Sequence, residues 1–209
     1  MISAGTTAQV EWGDGNWIFL DIGFSSKKKS CGLLVRDGKP RCLTFAAATA
    51  EITKEIARTA ASNLVIEAPL SVCFDSSGNP KRRSIEIQVA LARYWYMGLG
   101  CAVMVASMYL LREVSALTEP SVRLFEGFVS YKSAERSDHL QDVLDLQAVV
   151  RDPIKFADSI YEADRLKEGP DDILRSAFSV MGMDCEVPTV IKPNSKEFNS
   201  PPTPFSPPR

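Results

Sequence analysis

The chain predicts an α/β fold: a mixed five-stranded sheet with helices on both faces, followed by C-terminal helices. Three observations carry that expectation. Apolar runs of strand length recur at residues 17–22, 31–36, 41–45, 64–66 and 122–131. Helical periodicity separates the later runs but not the first three. Two of the runs end in a single carboxylate, Asp21 and Glu67. The order is β-β-β-α-β-α-β-α, an antiparallel meander extended by parallel strands through crossover helices.

The first run, Trp17-Ile18-Phe19-Leu20-Asp21-Ile22, reads as a buried strand, and residues 23–30, rich in serine and lysine, as the loop after it. Residues 31–36 form the second strand. Asp37-Gly38 is a hairpin signal, and 41–45 return as the third. Ile52, Ile56 and Ala60 stand at helical spacing within 49–62, a crossover helix closed by Asn63. Leu64-Val65-Ile66 is then a strand buried on both faces, and Pro69 stops its ladder after Glu67-Ala68.

Residues 82–114 carry a helical pattern that becomes almost wholly apolar. The stretch 94–111 has no charged side chain and meets the length of about 18 residues that marks a membrane-span candidate. Arg93 and Arg112 flank it, and Gly98, Ala102 and Ala106 make a stripe of small residues suited to close packing on a sheet. The expectation is therefore no membrane insertion, but a buried helix pair broken near Gly98-Leu99-Gly100, with a surface that could also serve a homodimer. Residues 122–131 return to strand character. Asp138, with Gln141 three positions on, resembles a capping box, and Leu140, Val143, Leu144 and Ala148 supply the apolar face of the helix that follows. Two further helical patterns, 154–166 and 171–181, and an extended piece at 187–191 complete a domain over 1–192. Residues 193–209, dense in proline and serine, are expected to be disordered.

At 209 residues and 45% hydrophobic content, the chain can bury roughly 70% of its unfolded surface as one domain. The five cysteines are scattered and odd in number, suited neither to a disulfide framework nor to a zinc knuckle, so a reducing cytoplasm is the expected setting. No secretory signal is visible at the N-terminus. The formal charge of −2 argues against a wholly basic binding face, leaving any polyanion to local clusters. Two such clusters exist, Lys27-Lys28-Lys29 and Lys81-Arg82-Arg83, and each follows one of the strand-ending acids.

The chemistry-bearing positions are Asp21, Glu67 and Asp142, contributed by two strands and a late helix that can converge. Hard divalent cations take oxygen ligands, and a pair of Mg²⁺ or Mn²⁺ ions is the usual means of hydrolysing a phosphodiester. His139, the only histidine, stands one helical turn before Asp142, where it could ligate a metal or move a proton. Asp145 is a further ligand candidate on the same helix, Asp138 suits an N-cap, and Glu126 is either an extra carboxylate or a salt-bridge member.

Several of these segments resemble a known group. Leu20-Asp21-Ile22-Gly23-Phe24-Ser25-Ser26 followed by Gly32-Leu33-Leu34-Val35 is similar to the first hairpin of ribonuclease H-like nucleases, including Holliday-junction resolvases. Val65-Ile66-Glu67 resembles their second acidic site, and His139-Leu140-Gln141-Asp142-Val143-Leu144 their late-helix motif. The resemblance covers residues 16–190 and implies a ribonuclease H-like fold. It implies a Mg²⁺- or Mn²⁺-dependent nuclease acting on DNA or RNA, with Asp21, Glu67, Asp142 and His139 catalytic and the two basic clusters guiding phosphates. Two other readings stand beside it: an actin-like nucleotide-binding module, because Asp21-Ile22-Gly23-Phe24-Ser25 also resembles a phosphate loop, and an inert scaffold that binds a partner.

Overall fold

A computed structural model describes residues 1–13, 15–23, 29–88, 91–92, 99–117, 119, 121–129 and 138–193. The elements run β1 (Ile2–Ala4), α1 (Thr7–Trp12), β2 (Asn16–Ile22), β3 (Cys31–Val35), β4 (Arg41–Leu43) and α2 (Phe45–Ile56). There follow β5 (Ala61–Glu67), β6 (Ser71–Phe74), β7 (Pro80–Lys81), β8 (Ile87–Gln88), β9 (Leu91–Ala92) and α3 (Leu99–Ser115). The last are β10 (Ser121–Gly127), α4 (His139–Arg151), β11 (Ile160–Tyr161), β12 (Ile173–Ser176) and β13 (Val190–Ile191).

A mixed sheet in the order β11-β13-β10-β5-β2-β3-β4 organises the molecule. β2, β5, β10 and β13 are mutually parallel, and β3 and β4 return antiparallel on the β2 side. β1 and β13 share the far side of β10, β1 along its first half and β13 along its end. The sheet thus has eight strands, not the five expected from sequence. The additional members, β1, β11 and β13, are two or three residues long, too short to show a period of two in the sequence. Two smaller sheets, β12-β6-β7 and β8-β9, stand apart from it.

Every residue of β2 is buried, because helices cover both faces of a parallel centre. The pleat divides the side chains. Ile18, Leu20 and Ile22 join Leu64 and Ile66 beneath α2 and α3, where Ile52, Ile56, Leu110 and Leu111 complete one core. Trp17 and Phe19 face the other way with Val65 and Phe125, against Val143, Leu146 and Val149 of α4. Asp21 and Glu67 continue this second series, and so the pleat carries both acids to the α4 face.

Several expectations are corrected. The crossover helix is Phe45–Ile56, begun by Thr44, whose hydroxyl accepts a hydrogen bond from the Ala47 amide at 3.2 Å. Asn63 does not end it but lies inside β5. Among the described residues, the pattern over 82–114 resolves into a short 3₁₀ turn at Ser84–Glu86, the strands β8 and β9, and the helix α3. Residues 94–98 of the apolar stretch lie outside the described residues. Leu110, Leu111 and Val114 of α3 fill this chain's own core, whereas Val105 and Tyr109 are exposed. Among the described residues no helix is long and apolar enough to cross a membrane. The C-terminal helices are absent: 154–166 and 171–181 form 3₁₀ turns at Ala157–Ser159, Ala163–Leu166 and Ala177–Met181, interrupted by β11 and β12. Strand pairing of Ile160–Tyr161 with β13 and of Ile173–Ser176 with β6 overrides the local helical spacing. Of the expected tail, residues 194–209 lie outside the described set.

The helix α4 reaches the sheet closely only where side chains are missing. A Cβ on Gly32 of β3 would overlap the His139 carbonyl, and one on Gly127 of β10 would stand 2.9 Å from Leu146 Cδ1. Glycine within a strand commonly marks such a close approach. Gly32→Ala is expected to push the start of α4 outward and cost about 1–3 kcal/mol of stability, read as a lower urea midpoint with an unchanged slope.

Candidate metal centre

Asp21 and Glu67 are the last pair of the β2–β5 ladder and lie in direct register, with Gly127 of β10 next in the row. Neighbouring parallel strands are about 4.8 Å apart, so the two acids begin from adjacent points on the carboxyl edge of the sheet. Their side chains are withdrawn from water, with Asp21 1% and Glu67 5% exposed.

The third acid comes from above. Asp138 caps α4, its Oδ1 accepting from the amides of Leu140 and Gln141 at 3.1 and 3.4 Å. The helix therefore starts at His139, and the spacing of three residues puts His139 and Asp142 on one face of its first turn, directed at the sheet. Asp142 is 1% exposed. His139 Nδ1 lies 2.6 Å from Asp21 Oδ2. With Asp21 ionised, that nitrogen carries the proton and leaves Nε2 as the basic atom. Nε2 faces Gly23, where a Cβ would collide with it. One ligand atom each from Asp21, His139 and Asp142 lies within 4.8 Å of the others. Metal–oxygen bonds of about 2.0–2.6 Å let opposed ligands span roughly 4–5 Å across one cation, so this spread suits a divalent ion.

Two sequence-expected ligands are placed less directly. Glu67 is beside Asp21 in register but is not one of the three convergent residues, and neither is Asp145. Asp145 is buried and accepts a 2.6 Å hydrogen bond at Oδ1 from the Gln141 side chain. Gln141 therefore braces Asp145 instead of reaching back to the cap as the capping-box pattern predicted. Gly23, Gly32 and Gln141 are contributors that the sequence reading did not select. A glycine inside an apolar strand and one directly after an acid were the available signals.

The basic clusters divide. Lys27 and Lys28 lie outside the described residues, and Lys29 is exposed with its carbonyl accepting from Cys42 Sγ at 3.4 Å. The second cluster is ion-paired with carboxylates of this chain. Lys81 Nζ meets Asp172 Oδ1 at 2.9 Å and Glu168 Oε2 at 3.4 Å, and Arg82 Nε meets Glu168 Oε1 at 2.8 Å. Arg83 is fully buried between Glu86 and Glu126, each at 2.8 Å. Burial opposes the guanidinium's charge, but these two carboxylates outweigh it and keep it protonated. Glu126 is thus a salt-bridge member. On the β3 side of the centre, burial pushes the Cys31 thiol up to about 11, which removes it as a nucleophile.

No protein-family model, curated protein or solved structure matches this chain.

Two outcomes follow from this geometry. Mn²⁺ at about a hundred times its dissociation constant should stabilise the wild-type protein by about 2.7 kcal/mol and leave Asp21→Asn unchanged, measured by thermal unfolding. At the second cluster, the hydrogen bond from Lys81 and the amides of Gly169 and Glu168 hold the Asp172 carboxyl below its ordinary value of 3.8. As pH falls the unfolded chain takes up this proton first, so the contribution is complete above about pH 3.8 and vanishes through the lower folded value. Wild type should exceed Asp172→Asn in stability at pH 7, and urea titrations should show the gap closing below that point.

Proposed function

We propose that this protein is a divalent-metal-dependent nuclease of ribonuclease H-like architecture. The observation that carries the reading is the convergence of Asp21, His139 and Asp142 within 4.8 Å on a buried sheet edge, with Glu67 in register beside Asp21. Like-charged carboxylates withdrawn from water together are costly, by several kcal/mol per uncompensated ion. The pairing of Asp21 with His139 offsets part of that, and an oxygen-rich donor set fits Mg²⁺ or Mn²⁺. Such ions, when bound, supply Lewis-acid stabilisation of the phosphate and a more acidic water.

The protein's own groups take the remaining roles. Asp21, Glu67 and Asp142 hold the cation site, with Asp145 behind Asp142 on the next turn of α4. Asp21 fixes the His139 ring through Nδ1, and Nε2 can accept the proton released from an attacking water. The sheet, the two core clusters and the glycine-permitted approach of α4 keep these groups in place before substrate arrives. Phosphate guidance rests on Lys27-Lys28-Lys29, which follow Asp21 in sequence, since Lys81, Arg82 and Arg83 are paired within the chain.

The test is a cleavage panel of single-stranded, duplex, hybrid and branched DNA and RNA, with Mg²⁺ and with Mn²⁺. At least one substrate should be cut, cleavage should stop with chelator and in Asp21→Asn, and binding should weaken steeply with salt. A panel in which nothing is cut, or in which Asp21→Asn cuts as well as wild type, would falsify the assignment.

A further inference from the structure

We infer that Glu126 is a positioning residue for Glu67, acting through the backbone that leaves β5; this rests on the reading of the sheet edge as a metal-dependent hydrolytic site. Glu67 is the last paired residue of β5 on both sides, opposite Asp21 of β2 and Gly127 of β10. Beyond it the ladder stops: Pro69 has no amide hydrogen to offer, and Ala68 N donates back to Ile66 O at 2.9 Å. The next fixed point is Leu70, whose amide donates to Glu126 Oε2 at 2.8 Å.

Glu126 is the residue before Gly127 on β10, so the pleat turns its side chain to the face opposite Glu67 while its backbone lies one step away. Both of its oxygens face Arg83, Oε2 through a hydrogen bond and Oε1 through an ion pair alone. Oε2 also accepts from Arg83 Nη1 at 2.9 Å, and Oε1 meets Arg83 Nη2 at 2.8 Å. Arg83 Nη1 in turn donates to Ser71 Oγ at 2.8 Å, while Nε and the Arg83 amide donate to the two oxygens of Glu86. Arg83, Glu86 and Glu126 are all 0% exposed. The network thus grips the chain at Leu70 and Ser71, three and four residues after Glu67, and ties both to the strand beside it.

A fully buried ion pair gives little net stability over apolar side chains of similar volume. What this one supplies is direction. The Leu70 amide and Ser71 Oγ are both bonded into the Arg83–Glu126 pair, which fixes the segment 68–71 against β10 and holds with it the end of β5 that presents Glu67. Groups hydrogen-bonded directly to metal ligands typically control affinity by about 10- to 100-fold, and Glu126, which acts through the backbone, is expected at the lower end of that range.

The experiment measures Mn²⁺ affinity by water-proton relaxation in wild type, Asp21→Asn, Glu126→Asp, and the triple variant Arg83→Met/Glu86→Gln/Glu126→Leu. Glu126→Asp keeps the charge but withdraws the carboxylate by one methylene. The triple variant removes the charges from the buried network and keeps an acceptor for the Arg83 amide, so it tests the same clamp without stranding an ion. Both should give cooperative melts, faster amide exchange at Leu70, and Mn²⁺ affinity reduced about tenfold or more. Wild-type affinity in whichever of the two folds overturns the inference, since a merely structural network would leave the metal site untouched. If wild type shows no Asp21-dependent Mn²⁺ binding at all, the hydrolytic reading fails first and this inference with it.

Discussion

Register between β2 and β5 is the constraint on which the rest of the structure depends. It sets Asp21 beside Glu67 at the carboxyl edge, and the pleat sends both acids to the face that α4 covers. A slip of one residue would turn either acid into the core beneath α2 and α3, among Ile18, Leu20 and Ile66. The apolar residues that alternate with the acids prevent this, because each fully buried Leu, Ile or Phe contributes about 1.5–3 kcal/mol and a slip would forfeit several at once. The positions of the two carboxylates are therefore held by hydrophobic burial, not by any interaction of their own.

The helix α4 completes the arrangement by a second kind of constraint. Its cap at Asp138 defines which residues form the first turn, and its apolar stripe of Val143, Leu146 and Val149 defines which face meets the sheet. His139 and Asp142 reach Asp21 as a consequence. Two glycines, Gly32 and Gly127, allow the approach, and a third, Gly23, leaves space for the imidazole. The same helix turn then carries a hydrogen-bonding partner for the acids, His139, whose bond to Asp21 spans 118 residues of sequence.

The two faces of the sheet treat charge differently. Beneath the α4 face, Asp21 and Asp142 converge with His139, and Glu67 stands beside Asp21 in register, an arrangement rich in oxygen donors. On the opposite face, Arg83, Glu86 and Glu126 form a buried ion-paired set bonded also to Leu70 and Ser71. The first has the character of a site and the second that of a clamp, and the strand ends of β5 and β10 connect them. Lys81 and Arg82 add a third group with Glu168 and Asp172, which fastens the small β12-β6-β7 sheet to the loop before β12.

Much of this was legible in the chain itself. Unbroken apolar runs marked β2, β3 and β5, Asp138 marked the start of α4, and an acid at the end of each buried strand marked Asp21 and Glu67, because burial periodicity and capping are local properties. The extended piece containing β13 was legible, but β1 was not, being three residues long with a distant partner, nor was the irregular region from Pro153 to Met181 with β11, whose residues show a misleading helical spacing. Charge was the least legible of all. Lys81, Arg82 and Arg83 look alike in sequence, yet only the folded chain makes one of them a wholly buried partner of Glu126, 43 residues away. The sequence alone determined the acid-bearing ends of β2 and β5 and the start of α4; the tertiary structure decided which charges face one another, because an ion pair depends on separation in space and leaves no periodic trace along the chain.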